Sequence, residues 1–187
     1  MTPDRIYLSP PHLGGDEATY VNEALASNWV APVGPFLQRF EARIGAYVGA
    51  PHVVALQSGT AALHLALRLL GVRRGDVVLC PSFNFAGGVF PILYEGATPH
   101  FVDSEPLTWN MCPEALARAL KRPAGQNGRP KVLLITHLYG QPARLDELLR
   151  IARQHDLFVV EDAAEAFGAT YRGRALGTWG DLGVYSF

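Results

Sequence analysis

From His52 onward, short apolar runs alternate with segments of helical period, and this alternation restricts the chain more than any other feature. Two neighbouring strands that run in the same direction need a crossover of a dozen or more residues between them, and a helix supplies it. The pattern therefore predicts βα units feeding a largely parallel sheet. Strands are expected over His52–Gln57, Val77–Cys80, Pro99–Val102, Val132–Thr136 and Leu157–Val160, with a last strand beginning near Gly183. Helices are expected over Thr60–Leu70, Phe85–Tyr94, Pro113–Leu120 and Arg144–Gln154. Pro113 suits the first turn of its helix, where a backbone N–H would lack a partner in any case. The run AALHLALRLL after Thr60 is polar only at His64 and Arg68, so it is expected to lie between a sheet and further structure. The fold class is α/β, with a mixed, mostly parallel sheet flanked by helices.

Before residue 50 the organisation differs. Asp16–Ser27 has an amphipathic helical pattern, Asn28–Pro35 (NWVAPVGP) is irregular, and Phe36–Val48 is a second helix. Residues 1–50 are thus expected to form a helical arm, lying across a ligand site or a partner subunit, and residues 51–187 the α/β domain. With 187 residues, 49% of them hydrophobic, the chain can bury one sizeable core but hardly two. RPAGQNGRP, Arg122–Pro130, reads as a surface loop.

Composition narrows the function. The net charge is −1 and the sixteen Lys and Arg are scattered, so no basic face for nucleic acid is expected. Met1–Gly15 lacks the continuous apolar stretch of a signal peptide, which points to the cytoplasm. The most apolar region, Val77–Leu93, is interrupted by Pro81, Asn84, Gly87, Gly88 and Pro91, so no membrane span is expected. Cys80 and Cys112 have neither CxxC spacing nor nearby ligand partners; they read as buried thiols, and no metal site is expected.

Four local patterns carry chemistry. Gln57-Ser58-Gly59-Thr60-Ala61 joins a strand end to a helix start, where unpaired N–H groups and the helix dipole can hold a phosphate; the same residues also make an ordinary N-cap. Asp162, in EDAAE after the apolar run LFVV, falls at the carboxyl end of a strand, where ligands of open α/β sheets bind. A carboxylate buried there needs a partner: a pyridinium nitrogen is one, a salt bridge or a turn N–H another. In PSFNF, Phe83 and Phe85 can stack on a planar ring or simply fill core. His137, directly after VLLIT, sits at another strand end and can be a site residue or a structural one. There is no GxGxxG or Walker pattern and no Tyr-x-x-x-Lys pair, which argues against a Rossmann-type epimerase or dehydratase.

Taken together, PPHLGGDE, SNWVAPVGP, SGTAALHLAL, PSFNFAGGVFPILYEGATPHFVD, THLYGQPARLDEL, VVEDAAEAFGA and GTWGDLGVYSF resemble the DegT/DnrJ/StrS-type sugar aminotransferases, pyridoxal-phosphate (PLP) enzymes of fold type I. The resemblance implies the PLP-binding large domain of that fold, a smaller C-terminal domain beyond it, and a homodimer. It implies that Ser58, Gly59, Thr60 and Ala61 cradle the PLP phosphate with help from Ser186. Phe85 would stack on the pyridine ring, Asp162 would pair with its nitrogen, and Glu165 would lie near its phenolic oxygen. Asn28, Trp29 and His137 are the expected substrate contacts. The acidic residue at 165, with SPPHLGG and SNWVAPVGP, is similar to the branch that aminates UDP-linked 4-keto-6-deoxy sugars with glutamate as donor.

In that family the Ser-aromatic pair matched by Ser186-Phe187 is followed, within about four residues, by the lysine that forms the Schiff base. The only lysines here are Lys121 and Lys131, in no cofactor motif. The catalytic lysine is thus expected beyond Phe187, no catalytic residue is assigned within the chain, and the chain alone is expected to be inactive and prone to aggregate. Two alternatives stay open at this point: a sugar dehydratase of the same family, with histidine in place of that lysine, and a non-catalytic remnant serving as a binding module.

Overall fold

The computed structural model describes residues 5–7, 10–121 and 128–187. Five strands form one sheet: β1 (Val77–Pro81), β2 (Thr98–Val102), β3 (Pro130–Thr136), β4 (Phe158–Asp162) and β7 (Leu182–Val184), in the order β2-β1-β3-β4-β7. Every pairing among them is parallel. Two further two-residue strands, β5 (Thr170–Tyr171) and β6 (Arg174–Ala175), pair antiparallel as a separate hairpin.

Helices cover both faces, which is why the central strands read as continuous apolar runs rather than alternating ones. On one face α5 (Pro113–Lys121) and α6 (Leu145–Gln154) bury Leu116, Leu145 and Leu148 against Leu133, Ile135 and Val159. On the other, α3 (Gly59–Leu69) and α4 (Phe90–Tyr94) bury Leu63, Leu67 and Ile92 against Val78, Leu134 and Val160. The polarity of α6 agrees with its dipole, with Asp146 and Glu147 in the first turn and Arg153 in the last. In the arm, α1 spans Glu17–Ala26 and α2 spans Pro35–Val48; α2 opens on Pro35 and closes on Gly49, whose φ of 75° suits a left-handed cap.

Two expectations are corrected. His52–Gln57 is not a strand: it has no ladder partner among the described residues, and the Ala55 N–H donates instead to the Glu41 carboxylate at 2.9 Å. A cleft of about 690 Å³ lies along this segment, bordered by β7 and by α3. Phe85–Tyr94 is not one helix: a 3-10 turn over Ala86–Gly88 precedes α4, because Gly87-Gly88 and Pro91 interrupt helical continuity. The β5/β6 hairpin went unforeseen, being too short to show a period. Most of the loop expected over Arg122–Pro130 lies outside the described residues. No helix among the described residues is long and apolar enough to cross a membrane.

Candidate functional site

From β1 the chain steps to β2 on one side and then to β3 on the other, so the winding direction reverses between β1 and β3. Loops leaving the carboxyl ends of strands diverge at such a point and open a crevice. Phe83–Gly88 leaves β1, His137 follows β3, and Asp162 ends β4, so the sheet delivers all three patterns to one edge.

Two adjacent glycines show how closely the groups meet. A Cβ on Gly87 would lie 2.8 Å from both the Phe85 ring and the Thr60 hydroxyl. One on Gly88 would lie 2.5 Å from Asn84 Nδ2 and 3.2 Å from Asp162 Oδ2. The 3-10 turn thus forms a wall where any Cβ would push a neighbour aside, with Thr60 and Phe85 at one residue and Asp162 at the next. A Cβ on Gly59 would meet the Ser186 side chain at 3.3 Å, which sets the Ser186 hydroxyl at the opening of α3.

The anion end is the first turn of α3. Ser58 is its N-cap, and its hydroxyl accepts from the Ala61 N–H at 3.2 Å. This amends the expectation for Ala61, whose N–H is engaged by the cap. The N–H groups of Gly59 and Thr60 have no acceptor among the described residues and remain, with the Thr60 and Ser186 hydroxyls, to receive an anion.

The cation end is Asp162. It is buried, and its Oδ1 accepts from the Ala164 N–H at 3.2 Å. Burial pushes its carboxyl up to about 6; the Ala164 N–H opposes that, the Glu165 charge adds to it, and His137 opposes it. A carboxylate held this way has too little compensation for its charge and would be relieved by a cation placed beside it. Phe85 is exposed and lies over Gly87, free to cover a flat group. The whole arrangement can clamp an anionic group at one end and a ring cation at the other, with an aromatic face between them.

Other expected residues fall elsewhere. His137 is corrected as a substrate contact: it is wholly buried, its Nδ1 accepts from the Ala143 N–H at 3.2 Å, and its Nε2 meets Glu161 Oε2 at 2.9 Å. No ring nitrogen is left for a ligand. Glu165 is exposed and accepts from the Tyr139 N–H at 2.6 Å, beside the loop after β3. Asn28 (φ 58°) and Trp29 lie in the arm, where the Trp29 indole is packed on Gly34. Sequence reasoning missed Glu161, Asn84 and Thr136; the signals were the ED pair on one strand, whose side chains must point to opposite faces, and the glycine pair after PSFNF.

Residues 11–187 match the DegT/DnrJ/EryC1/StrS aminotransferase family. The chain is 49% identical over 98% of its length to the Bacillus subtilis (strain 168) protein named "Putative pyridoxal phosphate-dependent aminotransferase EpsN", covering 47% of that protein. It is 43% identical over 98% of its length to GDP-perosamine synthase of Caulobacter vibrioides, covering 48% of it. Among solved structures, the aminotransferase TlmJ from Streptoalloteichus hindustanus superposes with a TM-score of 0.88 at 36% identity, over 97% of this chain and 48% of that one. The chain spans about half the length of the curated relatives it matches. On the matched span, the parallel sheet and the crevice at its carboxyl edge, this chain belongs to the DegT/DnrJ/EryC1/StrS aminotransferase family.

Proposed function

We propose that these residues are the cofactor-holding part of a PLP-dependent sugar aminotransferase. In a protein of the relatives' length, it transfers an amino group from glutamate to a nucleotide-linked 4-keto-6-deoxy sugar. The observation that carries this reading is Asp162: a buried acid raised to about 6, at a strand's carboxyl end, beside an aromatic ring and a helix N-terminus. Such a group fits a protonated pyridine nitrogen, because that cation removes the cost of keeping the carboxylate ionised.

The roles follow from position. The Gly59 and Thr60 N–H groups, with the Thr60 and Ser186 hydroxyls, bind the phosphate. Phe85 covers one face of the ring and excludes water from it. Asp162 holds the proton on the ring nitrogen, and Glu165, tethered to the Tyr139 N–H, borders the same edge. When bound, PLP supplies the electron sink for moving a proton at the amino-bearing carbon. The lysine that would move that proton is not among these residues, since Lys121 ends α5 and Lys131 donates to the Gly71 carbonyl and lies 3.5 Å from Asp76. The 187-residue chain alone therefore binds the cofactor's phosphate and ring without turnover. The nucleotide is assigned as UDP on the acidic residue at 165 and the SPPHLGG and SNWVAPVGP motifs, although three relatives are named for a GDP sugar. Homodimerisation in the cytoplasm, with the arm and Trp29 at the substrate side, completes the reading.

The test uses 4-deoxypyridoxine phosphate, which has the ring, nitrogen and phosphate of PLP but no aldehyde. The chain should bind it at micromolar concentration, with Asp162→Asn weakening binding at least tenfold. In parallel, a protein of the relatives' length is assayed with glutamate and UDP-, GDP- or TDP-linked 4-keto-6-deoxy sugars. No binding of the analogue overturns the cofactor assignment. Turnover with only GDP or TDP sugars overturns the choice of nucleotide.

A further inference from the structure

Two polar side-chain atoms around Asp162 are buried and have no hydrogen-bond partner among the described residues: Asn84 Nδ2 and Thr136 Oγ1. Thr136 is 6% exposed and is the register partner of Asp162 across β3 and β4, so the two side chains leave the same face of the sheet. It is the face covered by α3, since Leu134 and Val160, two residues earlier on each strand, pack there. Asn84 approaches from the loop after β1, and its amide and Asp162 Oδ2 border one point in space beside Gly88. A buried donor without an acceptor costs free energy, and so does a buried carboxylate with a single donor. Here they are neighbours, contributed by β3, β4 and the loop after β1.

We propose that Asn84 and Thr136 are positioning residues for Asp162: their amide and hydroxyl, not bonded to it in this structure, turn to donate to its free oxygen, fixing its orientation toward the ring nitrogen and keeping it ionised. They act through Asp162 and need not touch the cofactor. The inference rests on the proposed cofactor reading for its purpose, but its test does not depend on a cofactor. Oδ1 is already held by the Ala164 N–H, so donors directed at the other oxygen leave the carboxylate one rotamer and one free direction.

The experiment is a carboxyl ¹³C titration of Asp162 in the cofactor-free protein, for the parent, Thr136→Val, Thr136→Ser and Asn84→Ala. Thr136→Val keeps the volume and removes only the hydroxyl. The midpoint should rise by about half a pH unit or more in Thr136→Val and Asn84→Ala, because each loses a donor to the ionised form, and Thr136→Ser should restore it. A second measurement is binding of 4-deoxypyridoxine phosphate against pH: both variants should weaken it most near neutrality. Neither should weaken it further in the Asp162→Asn background. An unchanged Asp162 midpoint overturns the proposal, including the case in which affinity falls at every pH, which would make these groups packing or direct cofactor contacts. If the analogue fails to bind at all, the cofactor reading fails, while the titration still decides whether the two donors serve Asp162.

Discussion

Glu161 and Asp162 are adjacent acids on β4, buried on opposite faces of the sheet, and their surroundings could hardly differ more. Glu161 lies on the face of α5 and α6, entirely enclosed. Its Oε1 accepts from the N–H groups of Trp179 at 2.5 Å and Gly180 at 2.6 Å; its Oε2 accepts from Gly177 at 3.0 Å and meets His137 Nε2 at 2.9 Å. Because the Ala143 N–H donates to Nδ1, the Nε2 hydrogen is the one aimed at the carboxylate. Burial alone would raise the Glu161 carboxyl, but His137 and the backbone donors together hold it below the usual carboxylate range. Asp162, one residue on, has a single donor among the described residues and is raised. Full satisfaction marks the scaffold, here locking the segment that leads into β7 and Ser186. Incomplete satisfaction marks the place where a ligand supplies what is missing.

The sharpest way to break this contrast is to remove each acid in turn. Glu161→Ala should cost about 4 kcal/mol or more, since it orphans three backbone donors and a buried imidazole; denaturant unfolding measures it. Asp162→Asn should act in the opposite direction on the cofactor-free protein, stabilising it by about 2 kcal/mol at pH 8, while analogue binding drops at least tenfold.

Asp162 is raised in the folded state, so its contribution is complete below the ordinary aspartate range and is lost as pH rises through about 6. Glu161 is lowered, so its contribution is present above the ordinary glutamate range and is lost as pH falls through its depressed value. Stability curves should therefore lose their decline toward pH 6 in Asp162→Asn and their acid limb in Glu161→Gln. Equal curves for both variants would erase the distinction.

Smaller effects come from the crevice wall. Gly87→Ala should cost about 1–2 kcal/mol of stability by pushing on Phe85 and Thr60, and should reduce analogue affinity about tenfold, as read by fluorescence titration. Phe85→Leu should change stability by under about 0.5 kcal/mol, because the ring is 76% exposed, and reduce affinity only severalfold.

Much of this was legible in the chain itself. The parallel α/β class, the strands at Val77, Val132 and Leu157, and the placing of Asp162 at a strand's carboxyl end follow from period and apolar runs. Those signals are local and survive without partners. His52–Gln57 failed because a strand exists only where another backbone pairs with it, and apolar alternation does not say whether one does. His137 failed as a site residue because a histidine at a strand end looks the same whether it faces a crevice or a buried glutamate.

The sequence by itself determined which residue types could meet at the sheet edge: a capped helix start, a glycine pair, an aromatic and an acid, at spacings that a βα succession brings together. Only the tertiary structure decided how each was satisfied. It gave Glu161 four donors and Asp162 one, closed both nitrogens of His137, and left the Asn84 and Thr136 groups unpaired beside the raised acid. The reason is physical: the direction of a side chain follows from local backbone period, but its hydrogen-bond partners come from strands distant in sequence, and the charge a buried group can carry depends on those partners.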